Sequence, residues 1–112
     1  MNEKITGIVI DPGHGGDDPG AIGNNTNEKD YTLMISKYMY DRFKELGVPV
    51  EITRDTDKTL SPTERVENIL SKFGNNPNVI VISNHLNAGG GEFTYHYIIW
   101  FGIKTTIFNR LS

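Results

Sequence analysis

Two histidines and one glutamate stand at positions from which they could hold a metal ion together. His14 follows an apolar run in IVIDPGHGG, His85 follows another in VIVISNHLNAGGG, and Glu28 comes after a glycine-rich loop. Two imidazoles and a carboxylate form the ligand set of a catalytic zinc site, which leaves a fourth position for water or substrate. Such a metal activates water and polarises a carbonyl, so the chemistry indicated is hydrolysis of an amide or ester.

Each of the three residues also has a simpler interpretation when it is taken alone. A loop histidine is commonly solvated or caps a helix, and acids are common in the first turn of a helix. The glycine-rich loop, residues 11–27, could be a flexible turn or could hold a phosphate. It contains neither GxxxxGK[ST] nor GxGxxG, however, and Asp17 and Asp18 would repel a phosphate. The joint occurrence of the three residues, each where the fold would bring it to one edge, favours the metal site.

Three short segments have the composition of strands. Residues 5–10 form a β-branched apolar run that closes at Asp-Pro-Gly, which predicts a buried strand ending in a turn. Residues 48–52 alternate as a second strand, and residues 79–83 form a third, fully apolar one. Residues 93–101 are also strand-like and predict a fourth strand, whereas residues 102–112 show no clean period.

Two segments have helical spacing. The first begins at Glu28 and ends before Gly47, and its apolar positions are Tyr31, Met34, Ile35, Tyr38, Met39, Phe43 and Leu46. The second begins at the capping-box sequence Ser61-Pro62-Thr63-Glu64 and ends before residues 75–77. Strands and helices therefore alternate, which predicts an α/β fold with a mainly parallel sheet flanked by helices. Ligands collect at the carboxyl ends of such strands, where His14 and His85 are expected.

Size and composition limit the classes of function. The 112 residues predict a single domain, residues 1–112, and we expect a monomer. The absence of cysteine excludes disulfides and thiolate zinc sites. The net charge of −3 argues against nucleic acid as a partner, and no apolar run is long enough to span a membrane. Residues 1–11 lack the pattern of a secretory signal, so synthesis is expected to end in the cytosol.

Five motifs in order carry a family resemblance. They are IVIDPGHGGDDPGAIG, NEKDYTLMISKYM, GVPVEITRDTD, SPTERVEN and ISNHLNAGGGE, and together they cover roughly residues 5–92. This series resembles the zinc-dependent N-acetylmuramoyl-L-alanine amidases of bacterial autolysins, spore-associated lytic enzymes and phage endolysins. The resemblance implies a three-layer α/β fold around one zinc ion (Zn²⁺). It also implies peptidoglycan as the substrate, cleaved at the amide between N-acetylmuramic acid and L-alanine.

The resemblance also implies roles for single residues. By position in the motifs, the zinc ligands are His14, Glu28 and His85, and Asn87 and Ala88 line the cleft near the substrate.

Two arginines also match family positions. Arg54 follows a predicted strand and Arg65 lies on the capped helix. Arginines in such places more often make fixed ion pairs than bind substrate, so we predict structural roles for both.

The sequence departs from the family after Glu92. Members of the family carry, on a later strand, a glutamate that acts as general base or acid beside the zinc. Residues 93–112 match no motif of the family that we recognise and contain no acidic residue. We therefore expect a domain that is truncated relative to the family and incomplete at its C-terminus. Glu92 is the candidate replacement for the missing glutamate, and His96 is more plainly a strand residue.

Three hypotheses about function follow. The first is an active zinc amidase that acts on the wall after lysis by a phage or a mother cell. The second is a remnant that binds zinc or wall fragments without turnover, because proton transfer by a positioned side chain is worth about 10²–10⁴ in rate. The third is a metallohydrolase that acts on another amide or ester.

Overall fold

A four-stranded sheet with one helix on each face makes up most of the molecule. The computed structural model describes residues 4–23, 25–89 and 92–102, and the side chains of all these except 88, 89, 92 and 93. In chain order the elements are β1 (Gly7–Pro12), β2 (Ile22–Gly23), β3 (Thr26–Asn27), α1 (Glu28–Glu45), β4 (Val50–Ile52), α2 (Pro62–Phe73), β5 (Val79–Gly89) and β6 (Glu92–Phe101). Among the described residues, no helix is both long and apolar enough to cross a membrane.

The main sheet has the strand order β4-β1-β5-β6. Strand β1 is central and pairs in parallel with both β4 and β5, so that Ile8 lies beside Val50 on one side and Ile80 on the other. Strand β6 pairs antiparallel with β5, and β2 and β3 form a separate two-stranded ribbon. The predicted mainly parallel sheet with flanking helices is confirmed, and its fourth strand is antiparallel.

Two apolar clusters fill the space between the sheet and the helices. Successive residues of β1 point to opposite faces of the sheet, as the strand pleat requires. On one face α1 packs through Met39 and Phe43 against a cluster made of Ile8, Ile10, Val50 and Ile82. On the other face α2 contributes Ile69, with Leu70 and Phe73 beside it, to a cluster that includes Val9, Val79 and Val81. The result is the expected three-layer arrangement.

The predicted apolar face of α1 is partly wrong. Tyr31, Met34, Tyr38 and Leu46 are all exposed, the most exposed being Tyr38 at 68%. The fully buried positions of α1 are instead Glu28, Thr32 and Ser36. These polar side chains find partners in the protein, since Thr32 donates to the Gly13 carbonyl and Ser36 accepts from Asn84. The first half of the helix therefore packs on a polar loop and strand end, which an apolar period cannot predict.

The capping box of α2 forms as predicted. The Ser61 hydroxyl accepts from the Glu64 N–H at 3.1 Å, and the Glu64 carboxylate accepts from the Ser61 N–H at 3.1 Å. The helix ends at Phe73, and Gly74 follows with a φ of 75°. Its end thus comes slightly before the predicted stop at residues 75–77.

Two of the strands end further along the chain than their sequences predict. The sequence predicts β1 over residues 5–10, but the strand begins at Gly7 and continues through Asp11 and Pro12, because both pair with β5. The sequence predicts an end of β5 at residue 83, yet the strand runs to Gly89 as one arm of a hairpin with β6. His85 is therefore a strand residue, opposite His96, and not the first residue of a loop. The predicted fourth strand is confirmed, and residues 103–112 lie outside the described part of the chain.

Candidate metal centre

A tight turn after β1 brings the first histidine to the sheet edge. The Gly13 N–H donates to the Asn84 carbonyl at 3.0 Å, where the parallel pairing of β1 and β5 ends. His14 then adopts a φ of 63°, in the left-handed region that non-glycine residues rarely occupy. A Cβ atom on Gly13 would lie 2.7 Å from the His85 ring, so this close approach requires glycine. The turn thus sets the two imidazoles edge to face, with ring centroids 5.5 Å apart.

Glu28, the first residue of α1, brings a carboxylate to the same edge. Its side chain is 4% exposed, and a negative charge at a helix N-terminus is stabilised by the helix dipole. The Leu86 N–H donates to Oε2 at 2.9 Å, and the Ala21 N–H donates to Oε1 at 3.0 Å. These two backbone donors hold the carboxylate in one orientation.

The three predicted ligands converge on one point. Glu28 Oε2 lies 3.2 Å from His14 Nε2 and 3.3 Å from His85 Nδ1. The three ligand atoms all lie within 4.8 Å of one another. Tetrahedral ligands at about 2.0–2.2 Å from a zinc ion are about 3.3–3.6 Å apart. The spacing and the chemistry of these donors therefore fit a metal ion.

A second carboxylate orients His14 from outside the cluster. Asp18 Oδ2 lies 2.8 Å from His14 Nδ1, and Oδ1 accepts from the Gly20 N–H at 3.1 Å. Burial by itself would raise the pKa of Asp18, but the hydrogen bonds from His14 and Gly20 outweigh it and hold that pKa below its ordinary value. From the sequence, Asp18 is predicted only to repel a phosphate. The signal for its contact with His14 is the spacing of four residues between them.

A buried polar group lies behind His85. The Ser83 hydroxyl is 2.9 Å from His85 Nε2 and 2.9 Å from Asp11 Oδ2, and Asp11 is fully buried. Burial lowers the pKa of His85, against the opposing charges of Asp11 and Glu28. Sequence reasoning missed both Ser83 and Asp11, because one is inside an apolar strand and the other resembled a turn residue.

The two arginines are buried and bind the backbone that carries His14. Arg54, 3% exposed, donates to the carbonyls of His14 at 2.8 Å and Gly13 at 3.0 Å. Arg65, 6% exposed, donates to Asp11 at 2.7 Å and to the His14 carbonyl at 3.0 Å. These contacts agree with the predicted structural roles.

A cleft of about 170 Å³ opens beside the cluster. The loop after β1 lines it with His14 and Asp18, and the start of α2 lines it with Pro62 and Arg65. His85 forms part of its wall, so a molecule bound in the cleft would contact two of the three candidate ligands.

Other predicted residues lie along the β5–β6 hairpin. Asn87 is exposed and follows His85 by two residues, on the same face of β5. The side chains of Ala88 and Glu92 lie outside the described residues. The Glu92 backbone pairs with Gly89, about 13 Å along β5 from His85. The roles of Asn87, Ala88 and Glu92 stay predictions.

His96 faces the candidate ligands across the hairpin. Its ring stacks on that of His85 with centroids 5.6 Å apart, and its Nδ1 atom is buried without a hydrogen-bond partner. It lies within β6, as the interpretation of His96 as a strand residue predicts.

Known proteins match this chain over most of its length. The model of the N-acetylmuramoyl-L-alanine amidase family Amidase_3 matches residues 8–104, so the family resemblance extends beyond residue 92, the end that the sequence motifs predict. An uncharacterized protein of Bacillus subtilis, YqiI, is 39% identical over 89 residues, which are 78% of this chain and 41% of the relative. The sporulation-specific N-acetylmuramoyl-L-alanine amidase of the same organism is 37% identical over 95 residues, which are 81% of this chain and 35% of the relative.

Solved structures agree. The N-acetylmuramoyl-L-alanine amidase AmiC2 of Nostoc punctiforme superposes with a TM-score of 0.65 at 35% identity, over 76% of this chain and 46% of that one. An N-acetylmuramoyl-L-alanine amidase of Clostridium difficile gives a TM-score of 0.67 at 28% identity, over 80% of this chain and 48% of that one. The chain thus spans less than half the length of these relatives. The match of fold, motifs and family model shows that this chain belongs to the N-acetylmuramoyl-L-alanine amidase family.

Proposed function

We propose that this chain is a zinc-dependent N-acetylmuramoyl-L-alanine amidase, which hydrolyses the amide between N-acetylmuramic acid and L-alanine in peptidoglycan. The observation that carries the proposal is the convergence of His14, Glu28 and His85 beside an open cleft. Family membership supplies the substrate class, because relatives of this chain are named for that reaction.

The residues in and around the cluster have different roles in the proposed reaction. His14 Nε2, Glu28 Oε2 and His85 Nδ1 would hold the zinc ion, which activates water and polarises the amide carbonyl when it is bound. The hydrogen bonds to Glu28 and His14 keep those ligands oriented before any metal arrives, which preserves the spacing of the site. Asn87 and Ala88 are proposed to contact the substrate at the end of β5.

Proton transfer needs a free carboxylate or other base beside the metal, and the described residues at the site do not supply a free carboxylate. Among the residues that the structure describes, three carboxylates lie at the cleft or the metal cluster: Asp11, Asp18 and Glu28. Each is engaged, Asp11 by Arg65, Asp18 by His14, and Glu28 by backbone N–H groups. We propose Glu92 as the proton-transfer residue, a role that requires the end of the β5–β6 hairpin to approach the cluster, because the Glu92 backbone pairs about 13 Å along β5 from His85. Because residues 93–112 contain no acid, the second candidate is a protein that binds zinc or wall fragments with little turnover.

Digestion of purified peptidoglycan tests the proposal. We expect new L-alanine amino termini, their loss with a chelator, and their return when zinc is added. His85→Gln should abolish both zinc binding and release. The matched control is His96→Gln, a histidine on the same face that is outside the cluster, and it should retain one zinc ion per chain.

The outcomes separate the hypotheses. One bound zinc without any new alanine termini at high protein concentration would favour the second candidate. Glu92→Gln should then lower any residual rate if Glu92 transfers the proton. Failure to bind zinc would contradict both candidates, and faster turnover of another ester or amide would favour a different metallohydrolase.

We also propose that the protein is a monomer that acts on the cell wall, as a phage endolysin or a mother-cell lytic enzyme does. Light scattering of the purified chain tests the first point. Lysis of cells from outside, compared with lysis after expression within them, tests the second.

A further inference from the structure

A chain of hydrogen bonds connects the buried end of β1 to the second candidate ligand. Asp11 Oδ1 accepts from Arg65 at 2.7 Å and from the Thr53 hydroxyl at 2.9 Å. Asp11 Oδ2 lies 2.9 Å from the Ser83 hydroxyl, which lies 2.9 Å from His85 Nε2. Asp11, Ser83 and Thr53 are at most 5% exposed, so water does not replace these contacts easily.

The proton on Ser83 has one favourable position. Asp11 forms an ion pair with Arg65, and an ionised carboxylate can only accept hydrogen bonds. If the Ser83 proton pointed at His85, two oxygens would face each other through lone pairs at 2.9 Å inside the protein, where an unmade hydrogen bond is costly. Ser83 therefore donates to Asp11, and its oxygen accepts the Nε2–H of His85.

This direction decides which nitrogen of His85 is free. With the proton on Nε2, the lone pair of Nδ1 points at Glu28 Oε2, 3.3 Å away. The opposite tautomer would donate to Glu28 at this longer distance but would break the 2.9 Å hydrogen bond between Ser83 and Asp11, so the shorter contacts decide the position of the proton. The proton position on one ring nitrogen is set by the partner of the other, as in metal sites generally.

His14 is held in the opposite tautomer. Its Nδ1 lies 2.8 Å from the Asp18 carboxylate and its Nε2 lies 3.2 Å from Glu28 Oε2. The shorter contact takes the single proton of the neutral ring, so the Nε2 lone pair faces Glu28. The point between the three residues is therefore surrounded by acceptors alone, and a cation satisfies all of them.

We propose that Ser83 is a positioning residue: the Asp11–Arg65 pair directs its proton, and Ser83 in turn keeps His85 in the Nε2–H tautomer that frees Nδ1 for the metal ion. The effect on metal affinity rests on the proposed zinc site. The tautomer itself does not, and it can be measured without metal.

Nuclear magnetic resonance of the metal-free 112-residue chain, labelled with ¹⁵N at histidine, tests the tautomers directly. At pH 8, above the ordinary imidazole pKa of about 6.5, multiple-bond ¹H–¹⁵N correlations distinguish a protonated ring nitrogen from a bare one. We expect His85 with its proton on Nε2 and His14 with its proton on Nδ1. The His85→Gln spectrum assigns the signals.

Three variants then test the role of Ser83. Ser83→Ala should leave His85 in a mixture of tautomers and weaken zinc binding, measured by chelator competition, by about 10–100-fold. Ser83→Thr keeps the hydroxyl and should restore the tautomer. Thr53→Val is the matched control, because it removes another buried hydroxyl from Asp11 without touching His85. It should leave the tautomer as in the wild-type chain.

The results separate this proposal from the proposed function. A wild-type His85 with its proton on Nδ1, or a Ser83→Ala variant with the wild-type tautomer and zinc affinity, would overturn the role of Ser83. The expected tautomers in a wild-type chain that binds no zinc would support the positioning role and contradict the zinc amidase.

Discussion

Replacement of Arg54 by alanine tests whether this arginine holds the loop of the metal site or contacts substrate. Its guanidinium donates to the carbonyls of Gly13, His14, Lys29 and Thr56 at 2.8–3.0 Å. In Arg54→Ala, four carbonyls lose a charged donor that water replaces only in part, because the side chain is 3% exposed.

The expected loss of stability follows from these contacts. A hydrogen bond to a charged group contributes about 1.5–3 kcal/mol. The carbonyls of Gly13 and His14 keep a second donor each, from Thr32 and Arg65, so they are not left without a partner. Because losses at one site are not additive, we expect the free energy of unfolding to fall by about 3–5 kcal/mol. A domain of this size has about 5–15 kcal/mol in total, so the variant should unfold at a much lower urea concentration.

Arg42→Ala is the matched control for the urea experiment. Arg42 is 52% exposed and forms one ion pair, with Glu45 at 2.6 Å, on the surface of α1. Such pairs contribute about 0–1 kcal/mol, so this variant should unfold close to the wild-type midpoint. If Arg54→Ala were as stable as Arg42→Ala but bound peptidoglycan more weakly, the structural role would be refuted and the substrate role supported.

Three further predictions follow from the same loop and its surroundings. Bound zinc should stabilise the folded chain by about 2.7 kcal/mol when the free metal exceeds its Kd a hundredfold, and so raise the unfolding temperature. Calorimetry should show this rise, and addition of a chelator should reverse it. Gly13→Ala should weaken zinc binding, measured by chelator competition, because its Cβ would lie 2.7 Å from the His85 ring. The control Gly74→Ala has open space around its Cβ, so it should only lower the stability, by about 1–3 kcal/mol in urea titration. Hydrogen bonds from Lys29 and Gly16 lower the pKa of Asp57 below 3.8, so the stability that ionised Asp57 contributes should be present above pH 3.8 and disappear as the pH falls through the lowered pKa. In that acid range the urea midpoint of Asp57→Asn should approach that of the wild-type chain. A difference between the two midpoints that stays constant with pH would contradict this.

The sequence predicts that the three candidate ligands converge, because their placement follows from topology. Parallel strands end at one edge, so His14 and His85 had to lie close together once the strands before them were recognised. Glu28 was expected at the start of a helix, and its position at the first residue of α1 is confirmed.

The sequence predicts side-chain partners poorly because these depend on packing between distant segments. Thr32 and Ser36 replace the expected apolar face of α1, since that part of the helix packs on backbone and on Asn84. The extension of β5 to Gly89 required knowledge that β6 would pair with it. Neither the buried polar positions of α1 nor the length of β5 can be predicted from the hydrophobic period of a single segment.

Under the proposed function, metal binding and turnover depend on different parts of this chain. The candidate ligands and their hydrogen-bond partners all lie between Asp11 and Leu86, within the region that folds around the parallel strands. The three described carboxylates at the cleft or the metal cluster, Asp11, Asp18 and Glu28, are already engaged, so a free base must reach the site from elsewhere. Loss of a proton-transfer residue lowers the rate by about 10²–10⁴ without removing any metal ligand. A chain with this centre is therefore expected to keep its zinc affinity whether or not it turns over, and stoichiometric zinc alone does not establish catalysis.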